Sequence, residues 1–177
     1  MGNFYTSITL RGASADRVVQ VMTDLGRDAY VFSDDRTVVV YDRESEEQDT
    51  EVLAALAERL ATETSCVAFA VLDHDDDVLW FQLYDRDELV AEYCNRIGPR
   101  PRARAMARAL GCASAWLKLW FVLRRPYVTQ IYRHIAINDI AGFPEATILG
   151  YRYIDRGERT DDMAAGKLVK LPRWRES

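Results

Sequence analysis

Alternating apolar and polar residues in the first half of the chain predict an antiparallel sheet interrupted by two helices. Residues 4–10 alternate with the period of a half-buried strand. Residues 15–25 and 50–63 repeat apolar side chains at the spacing i, i+3, i+4, i+7, which is typical of a helix with one buried face. Each helix is followed by two apolar segments around a short acidic turn, which predicts strands at 28–33, 37–42, 66–72 and 78–84, with a sixth near 88–93.

The order helix, loop and hairpin occurs twice, and both hairpins end in Tyr-Asp. We therefore interpret residues 1–97 as an α+β domain with an approximate internal duplication, in which an antiparallel sheet of five to six strands carries two helices on one face. Strand 66–72 is apolar on both sides, which is typical of a central strand covered on two faces. The side of the sheet that carries Trp80 and Tyr84 consequently needs a second cover.

A change in composition divides the chain after the predicted sheet. Residues 98–101 are Gly-Pro-Arg-Pro, which indicates a domain boundary. The pattern of residues 98–155 is more helical than extended, and we expect this helical C-terminal subdomain to pack on the sheet over Trp80. Residues 156–177 are interpreted as a polar tail.

The most apolar part of the C-terminal half is residues 113–123, where a helix would be apolar nearly all round. A helix of this kind is usually buried, so we expect it to cover the sheet. Its Trp116 and Trp120, followed by Arg124 and Arg125, also suit a docking surface for a partner, and this alternative stays open. The 11-residue run is shorter than the ~20 residues of a membrane-spanning helix, so no membrane contact is expected.

Charge is divided unevenly between the two halves of the chain. The net charge is −5, but residues 1–95 carry 7 basic and 21 acidic residues, a net −14, whereas residues 96–177 carry 16 and 7, a net +9. Such an asymmetry indicates either docking of the two halves on each other or binding of charged partners.

The composition is that of a globular protein large enough to bury a core without disulfides or metals, with 177 residues, 49% hydrophobic and 29% charged. Cys66, Cys94 and Cys112 are odd in number and lack a Cys-x-x-Cys spacing. The chain begins with a strand-like segment rather than an apolar signal peptide. These features predict a reduced, cytoplasmic protein.

No set of residues in the sequence matches a catalytic, metal or cofactor motif. The turn 73–77, Asp-His-Asp-Asp-Asp, has the carboxylate spacing that opens a calcium loop, but Val78 and Tyr84 stand where that loop requires Gly and Glu. His134 lies in a helical pattern with no nucleophile or carboxylate assigned to it by the sequence. We therefore assign no catalytic residue, no metal site and no cofactor.

Residues 135–154 resemble a helix-turn-helix motif in outline, with Gly142 in the turn. Asn138 stands where the motif keeps a small residue, and Glu145 near the start of the second helix would repel phosphate. Nucleic-acid binding by the basic half is the alternative function, and it would use Arg100, Arg102, Arg104, Arg108 and Arg152.

Three features resemble a family of small bacterial proteins with no established activity. They are the opening Asn-Phe-Tyr-Thr-Ser-Ile-Thr-Leu-Arg-Gly, the doubled helix–hairpin layout, and the stretch from Gly150 to Glu158 that begins Gly-Tyr-Arg-Tyr-Ile. The resemblance is structural and implies no catalytic residues. In fold style the chain is also similar to bacterial immunity proteins, which neutralise toxins.

These observations predict a non-catalytic protein–protein interaction module, with an immunity or adaptor role as its concrete form. The expected partner is another protein or a second copy of the chain, and an enzyme of unknown class is the remaining alternative. If the hairpins pair as the duplication suggests, both acidic turns emerge at related ends of the sheet and steer a partner towards aromatic anchors. The predicted binding residues are Asp34, Asp35, Tyr41, Asp75, Asp76, Trp80 and Tyr84.

Overall fold

The computed structural model describes residues 2–98 and 100–172 and has an α+β architecture with one antiparallel sheet. Met1, Pro99 of the predicted boundary and residues 173–177 of the predicted tail lie outside the described residues. The strands are β1 (Phe4–Arg11), β2 (Ala29–Ser33), β3 (Thr37–Asp42), β4 (Val67–His74), β5 (Val78–Asp85), β6 (Glu88–Cys94) and β7 (Lys167–Leu171). The helices are α1 (Ala15–Asp24), α2 (Thr50–Thr64), α3 (Ala103–Ala109), α4 (Trp116–Arg124), α5 (Ile131–Ala141) and α6 (Tyr151–Asp155).

The sheet has seven strands in the order β6-β5-β4-β1-β3-β2-β7, so the predicted number of five to six is wrong. The additional strand, β7, lies in the segment interpreted as a polar tail and pairs with β2. Lys167 and Lys170 give this segment its polar composition. An edge strand has one edge without a neighbouring strand, and lysines are common there. Leu171 of the same strand is buried against the sheet.

Helices α1 and α2 cover one face of the sheet. The buried residues of α1, Val18, Val21 and Met22, follow its helical apolar stripe. Asp49 immediately precedes α2, and its side-chain oxygen Oδ1 accepts hydrogen bonds from the amides of the second and third residues after it, at 2.8 and 3.2 Å. This N-cap satisfies amides that have no partner within the helix.

The helices after residue 100 cover the opposite face, and this is not the face that carries Trp80. Leu79, Phe81 and Leu83 of β5 pack against α3, α4 and α5, whereas Trp80 and Tyr84 belong to the core beneath α1 and α2. The expectation that the C-terminal helices cover Trp80 is therefore wrong. Both sides of β5 are apolar, so its alternation defines two faces without showing which helices lie on each.

Hydrogen bonds hold the C-terminal half on the sheet. The hydroxyl of Tyr41 in β3 donates to the carbonyl of Ala146 at 2.9 Å. The guanidinium of Arg11, at the end of β1, donates to the carbonyls of Leu110 and Ala141. These carbonyls lie at the C-terminal ends of α3 and α5, where a cation is favourable. Arg11 therefore ties two helices to the central strand.

Candidate functional site

The two acidic turns lie at opposite ends of the sheet. In the turn before β3, Asp34 and Asp35 lie near the end of β1, where Arg11 pairs with Thr37. The turn after β4 lies near the start of β1, where Phe4 pairs with His74. The expectation that the turns emerge at related ends is therefore wrong, and the structure does not concentrate their charge on one edge.

The aromatic residues assigned to the same binding surface are buried. Tyr41 is fully enclosed on the face covered by the C-terminal half. Trp80 and Tyr84 are buried beneath α1 and α2, and the Tyr84 hydroxyl donates to Gln82 Oε1 at 2.6 Å. Tyr41 and Tyr84 therefore present no anchor to a partner, and only 8% of Trp80 remains exposed. The accessible part of this predicted surface consists of Asp34 and Asp35 at one end of the sheet, and of Asp75 with the half-buried Asp76 at the other.

The arginines assigned to nucleic-acid binding are also divided. Arg152 in α6 forms an ion pair with Glu47 of the acidic half at 3.0 Å. Arg102, Arg104 and Arg108 lie at the start of α3 or within it, and Arg100 precedes that helix and donates to the carbonyl of a residue in α4. Four of the five arginines therefore lie around α3, and the fifth is paired on another helix.

Helix α4 exposes three large apolar side chains, although two of its leucines are fully buried. Leu119 and Leu123 belong to the core between the C-terminal helices and the sheet, on the side of α4 that contacts α3 and α5. Leu117, Trp120 and Phe121 remain 53%, 38% and 61% exposed. Positions three and four apart lie on the same side of a helix, so these side chains form one apolar stripe. We call this stripe, with Arg124, the α4 face.

The α4 face lies in a stretch of chain that carries only positive charge. Residues 96–138 contain nine Lys or Arg residues and no Asp or Glu. The guanidinium of Arg124 lies 4.5 Å from the centre of the Trp120 ring, and that of Arg104 lies 4.1 Å from the ring of Trp116. These cation–π contacts hold arginine and tryptophan side chains together at the surface. This acid-free run is readable from the sequence, and it is the signal that marks the α4 face.

The basic half docks on the acidic half with few ion pairs. In the part of the chain that the structure describes, the ion pairs between residues 1–95 and 96–177 are Arg96–Asp77 and Arg152–Glu47, both between exposed side chains. The halves are joined instead by apolar packing, by the pairing of β2 with β7 and by hydrogen bonds, among them those of Arg11 and Tyr41. Most positive charges of the second half are therefore not neutralised by the first.

A groove of about 980 Å³ runs beside the edge strand β6. Its walls are β6 with the neighbouring parts of β5 and β4, the start of α2, the connection that follows β6, and the first turn of α3. The lining is mostly apolar, with Trp80, Tyr93 and Ile97 among its residues. Arg100 and Arg102 also line this groove, together with His74. The sequence pattern gives no sign of the groove, because its walls come from segments that meet only in the fold.

The buried polar residues between the sheet and α5 include a histidine without solvent access. His134 is fully buried, and its Nδ1 lies 2.6 Å from the hydroxyl of Tyr5 on β1. Burial lowers the pKa of His134 to about 3, so the ring stays neutral at physiological pH. Asp73 pairs with Tyr5 across the two strands, and burial raises its pKa to about 7. Both groups are enclosed by the C-terminal half, so neither is positioned to meet a substrate from solution.

Across residues 2–98 and 100–172, no group of three or more His, Cys, Asp or Glu side chains is arranged to hold a metal ion. Within the same described residues, no helix has the length and apolarity needed to cross a membrane. No family model, curated protein or solved structure matches this chain.

Proposed function

We propose that this protein is a non-catalytic binding module that engages an acidic protein partner through the α4 face. The observation that carries the proposal is the exposure of Leu117, Trp120 and Phe121 together within a stretch that has nine basic and no acidic residues. Exposed apolar patches rimmed by charge are typical of interaction sites. Aromatic residues and arginine also dominate the binding energy of protein interfaces.

The charge of the α4 face selects the chemistry of the partner. Lys118 and Arg124 lie on the helix that carries the apolar stripe, and Arg125 follows it directly. A carboxylate-rich surface would be steered towards these cations, while the buried area of the aromatic side chains would supply most of the affinity. An immunity protein or an adaptor acts by forming a specific complex of this kind, so the proposal agrees with the role that the sequence predicts.

The three apolar side chains also favour a protein over a nucleic acid as the partner. Phosphate contacts need cations, and base contacts need polar side chains or flat rings that reach a groove or a single strand. Leu117 offers no charge, hydrogen bond or ring, and the Trp120 ring is covered by Arg124, so Phe121 is the one ring of the α4 face open to stacking. Such a surface suits an apolar pocket with an acidic rim.

Replacing Phe121 with aspartate is expected to weaken partner binding by about 30-fold, because it introduces a carboxylate into the apolar stripe and removes a central anchor. The protein that immobilised wild type retains from its native host would be purified, and its affinity for wild type and variant measured by biolayer interferometry over a series of salt concentrations. Phe121 is 61% exposed, so the variant should fold normally, which its circular dichroism and melting temperature would verify.

The matched control is Leu25→Asp. Leu25 is 38% exposed, like Trp120, but it follows α1 on the other side of the sheet, so this change should leave the affinity unaltered. Equal binding by Phe121→Asp and wild type would contradict the proposal. So would loss of the retained material on nuclease treatment, which favours nucleic acid, or sensitivity to Asp75→Lys alone, which favours the acidic turn.

A further inference from the structure

Strand β6 ends the sheet, and its outer side has no neighbouring strand among the described residues. Along its length β6 pairs only with β5. The other edge strand, β7, has five residues, and its Lys170 forms an ion pair with Asp155. Short strands that carry lysines are typical of edges protected against further pairing. The seven residues of β6 include only two charged side chains, both glutamates.

The hydrogen-bond pattern shows which backbone groups of β6 point outward. The amide of Asn95 donates to the carbonyl of Leu79, so this pair faces inward across the ladder. Inward and outward pairs alternate along antiparallel strands. Cys94 pairs with Trp80 and Glu92 pairs with Gln82, so the amides and carbonyls of Cys94 and Glu92 point away from β5. The register shift beside Val90 ends this regular edge.

The groove described above lies along this outward edge. All seven residues of β6 line it, and α3 and the connection from β6 form the opposite wall. Ile97 in the connection is 75% exposed and Leu89 of β6 is 46% exposed, and the half-buried Ala105 adds apolar surface. Its volume of about 980 Å³ matches that of sites that enclose a short segment or a sizeable ligand. An extended chain lying here would gain backbone hydrogen bonds from β6 and apolar contacts from the walls.

Two arginines at the groove indicate the charge that a bound peptide would carry. Within the described residues the side chain of Arg102 makes no hydrogen bond or ion pair, and the side chain of Arg100 donates only to the carbonyl of Leu123. In contrast, Glu92 accepts a hydrogen bond from Gln82 at 2.8 Å on the side of the sheet beneath α2. Glu88 lines the groove at the far end of β6, so the end formed by Arg100 and Arg102 is where a carboxylate would find a cation, and Arg102 is the one whose side chain has no partner there.

We propose that the outward edge of β6 binds an extended peptide segment of another protein, which adds to the sheet as an eighth strand. The segment carries apolar side chains at alternate positions, which face the groove, and an acidic residue that pairs with Arg102. Its backbone exchanges hydrogen bonds with Glu92 and Cys94, as in other cases of strand addition to an exposed edge. This site is separate from the α4 face and does not depend on the function proposed there.

The test uses a phage-displayed library of random peptides about ten residues long, selected on immobilised wild-type protein. We expect enriched sequences to alternate apolar and small or polar residues and to contain Asp or Glu. A synthetic peptide of the enriched sequence would then be measured by fluorescence polarisation. Hydrogen exchange should show new protection at the amides of Glu92 and Cys94 when this peptide is bound.

Two pairs of variants separate backbone pairing from general effects. Glu92→Pro should fold, because the amide of Glu92 makes no bond to β5 and edge strands tolerate proline at such positions. It removes an amide that would donate to the peptide, so the affinity for the peptide should fall by about tenfold. Glu92→Ala removes the same side chain but keeps the amide, so the tenfold loss is measured relative to this variant. Arg102→Glu should lower affinity by about tenfold or more, whereas Arg108→Glu, on the same helix but outside the groove lining, should not.

A further measurement needs no change in the protein. Two peptides would be made, one with methyl groups on the odd-numbered backbone nitrogens and the other on the even-numbered ones. The peptide whose methylated nitrogens face β6 should not bind, and the other should bind as the unmodified peptide does. The proposal is overturned if no sequence is enriched, if both methylated phases bind equally, or if Glu92→Pro and Arg102→Glu bind like wild type. Concentration-dependent dimerisation that Glu92→Pro blocks would assign the edge to a second copy and overturn it as well.

Discussion

Replacing Arg27 with alanine is expected to lower the free energy of unfolding by about 3–5 kcal/mol, because it leaves a buried carboxylate without its cation. Asp42, at the end of β3, is almost wholly buried. Its carboxylate accepts two hydrogen bonds from the Arg27 guanidinium, from Nε at 2.9 Å and from a terminal nitrogen at 2.5 Å. The amide and hydroxyl of Ser45 also donate to it, both at 2.8 Å, but they bring no full positive charge.

Urea denaturation at neutral pH would measure this effect, with Arg152→Ala as the control. Arg152 and its partner Glu47 are both more than half exposed, so breaking their ion pair should cost less than about 1 kcal/mol. Combining Arg27→Ala with Asp42→Asn should recover part of the lost stability, because the buried negative charge is then absent. A loss below about 1 kcal/mol for Arg27→Ala alone would show that Ser45 and water suffice for Asp42.

Local periodicity was enough to predict most elements of the N-terminal half, since each depends on neighbouring residues. The hairpin of β4 and β5, for example, has the pattern of two apolar segments around an acidic turn. Strand β7 was missed because Lys167 and Lys170 weaken its alternation, and its pairing with β2 joins residues more than 100 positions apart. The five residues of β7 alone do not indicate that they pair with a strand so distant in the sequence.

The two acidic turns lie at opposite ends of the sheet because of the strand order, which the internal duplication of the sequence does not predict. Strand β1 lies between the two hairpins and is antiparallel to both β3 and β4, so those two strands run in the same direction. Strand β3 begins at its acidic turn, whereas β4 ends at its own. The turns must therefore emerge at opposite ends of the sheet. Insertion of one strand between two similar hairpins is enough to separate the charges.

The exposed side of α4 also depended on its surroundings. Its sequence is apolar nearly all round, which favours burial, and Leu119 and Leu123 are indeed buried. Helices α3 and α5 and the core that they share with the sheet cover only one side of α4, so Leu117 and Phe121 remain exposed. The composition of α4 shows that its apolar surface is larger than one packing interface can bury. It does not show which apolar residues stay exposed to solvent. The charge pattern of residues 96–138 is the part of this site that the sequence does carry.

Asp73 and His134 are expected to change stability in opposite directions as the pH is lowered. The raised pKa of Asp73, about 7, means that the folded protein holds a proton which an unfolded aspartate, near pKa 3.9, releases. Its Oδ1 accepts the amide of Asp76 at 3.1 Å, but Oδ2 has no hydrogen-bond partner among the described residues. Asp73 therefore stabilises the fold progressively as the pH falls from about 7 to about 4.

His134 has the reverse effect. Burial lowers its pKa to about 3, whereas an unfolded histidine binds a proton below about pH 6.5. Acidification therefore favours the unfolded chain from about pH 6.5 downward. Between about pH 4 and 6.5 the two groups contribute slopes of about 1.4 kcal/mol per pH unit with opposite signs, and these contributions cancel in the wild-type protein.

Each single substitution should expose the slope of the other group. Relative to wild type, Asp73→Asn should lose about 1.4 kcal/mol of stability per pH unit as the pH falls from 6.5 to 4.5, and His134→Gln should gain about as much. Urea denaturation at several pH values measures these slopes whatever each change costs at a fixed pH. Asn138→Ala is the control, because Asn138 is buried on the same side and donates to Thr147 but does not titrate. Its loss should be the same at every pH. Slopes of one sign in both variants would show that burial does not hold Asp73 protonated and His134 neutral in the native state.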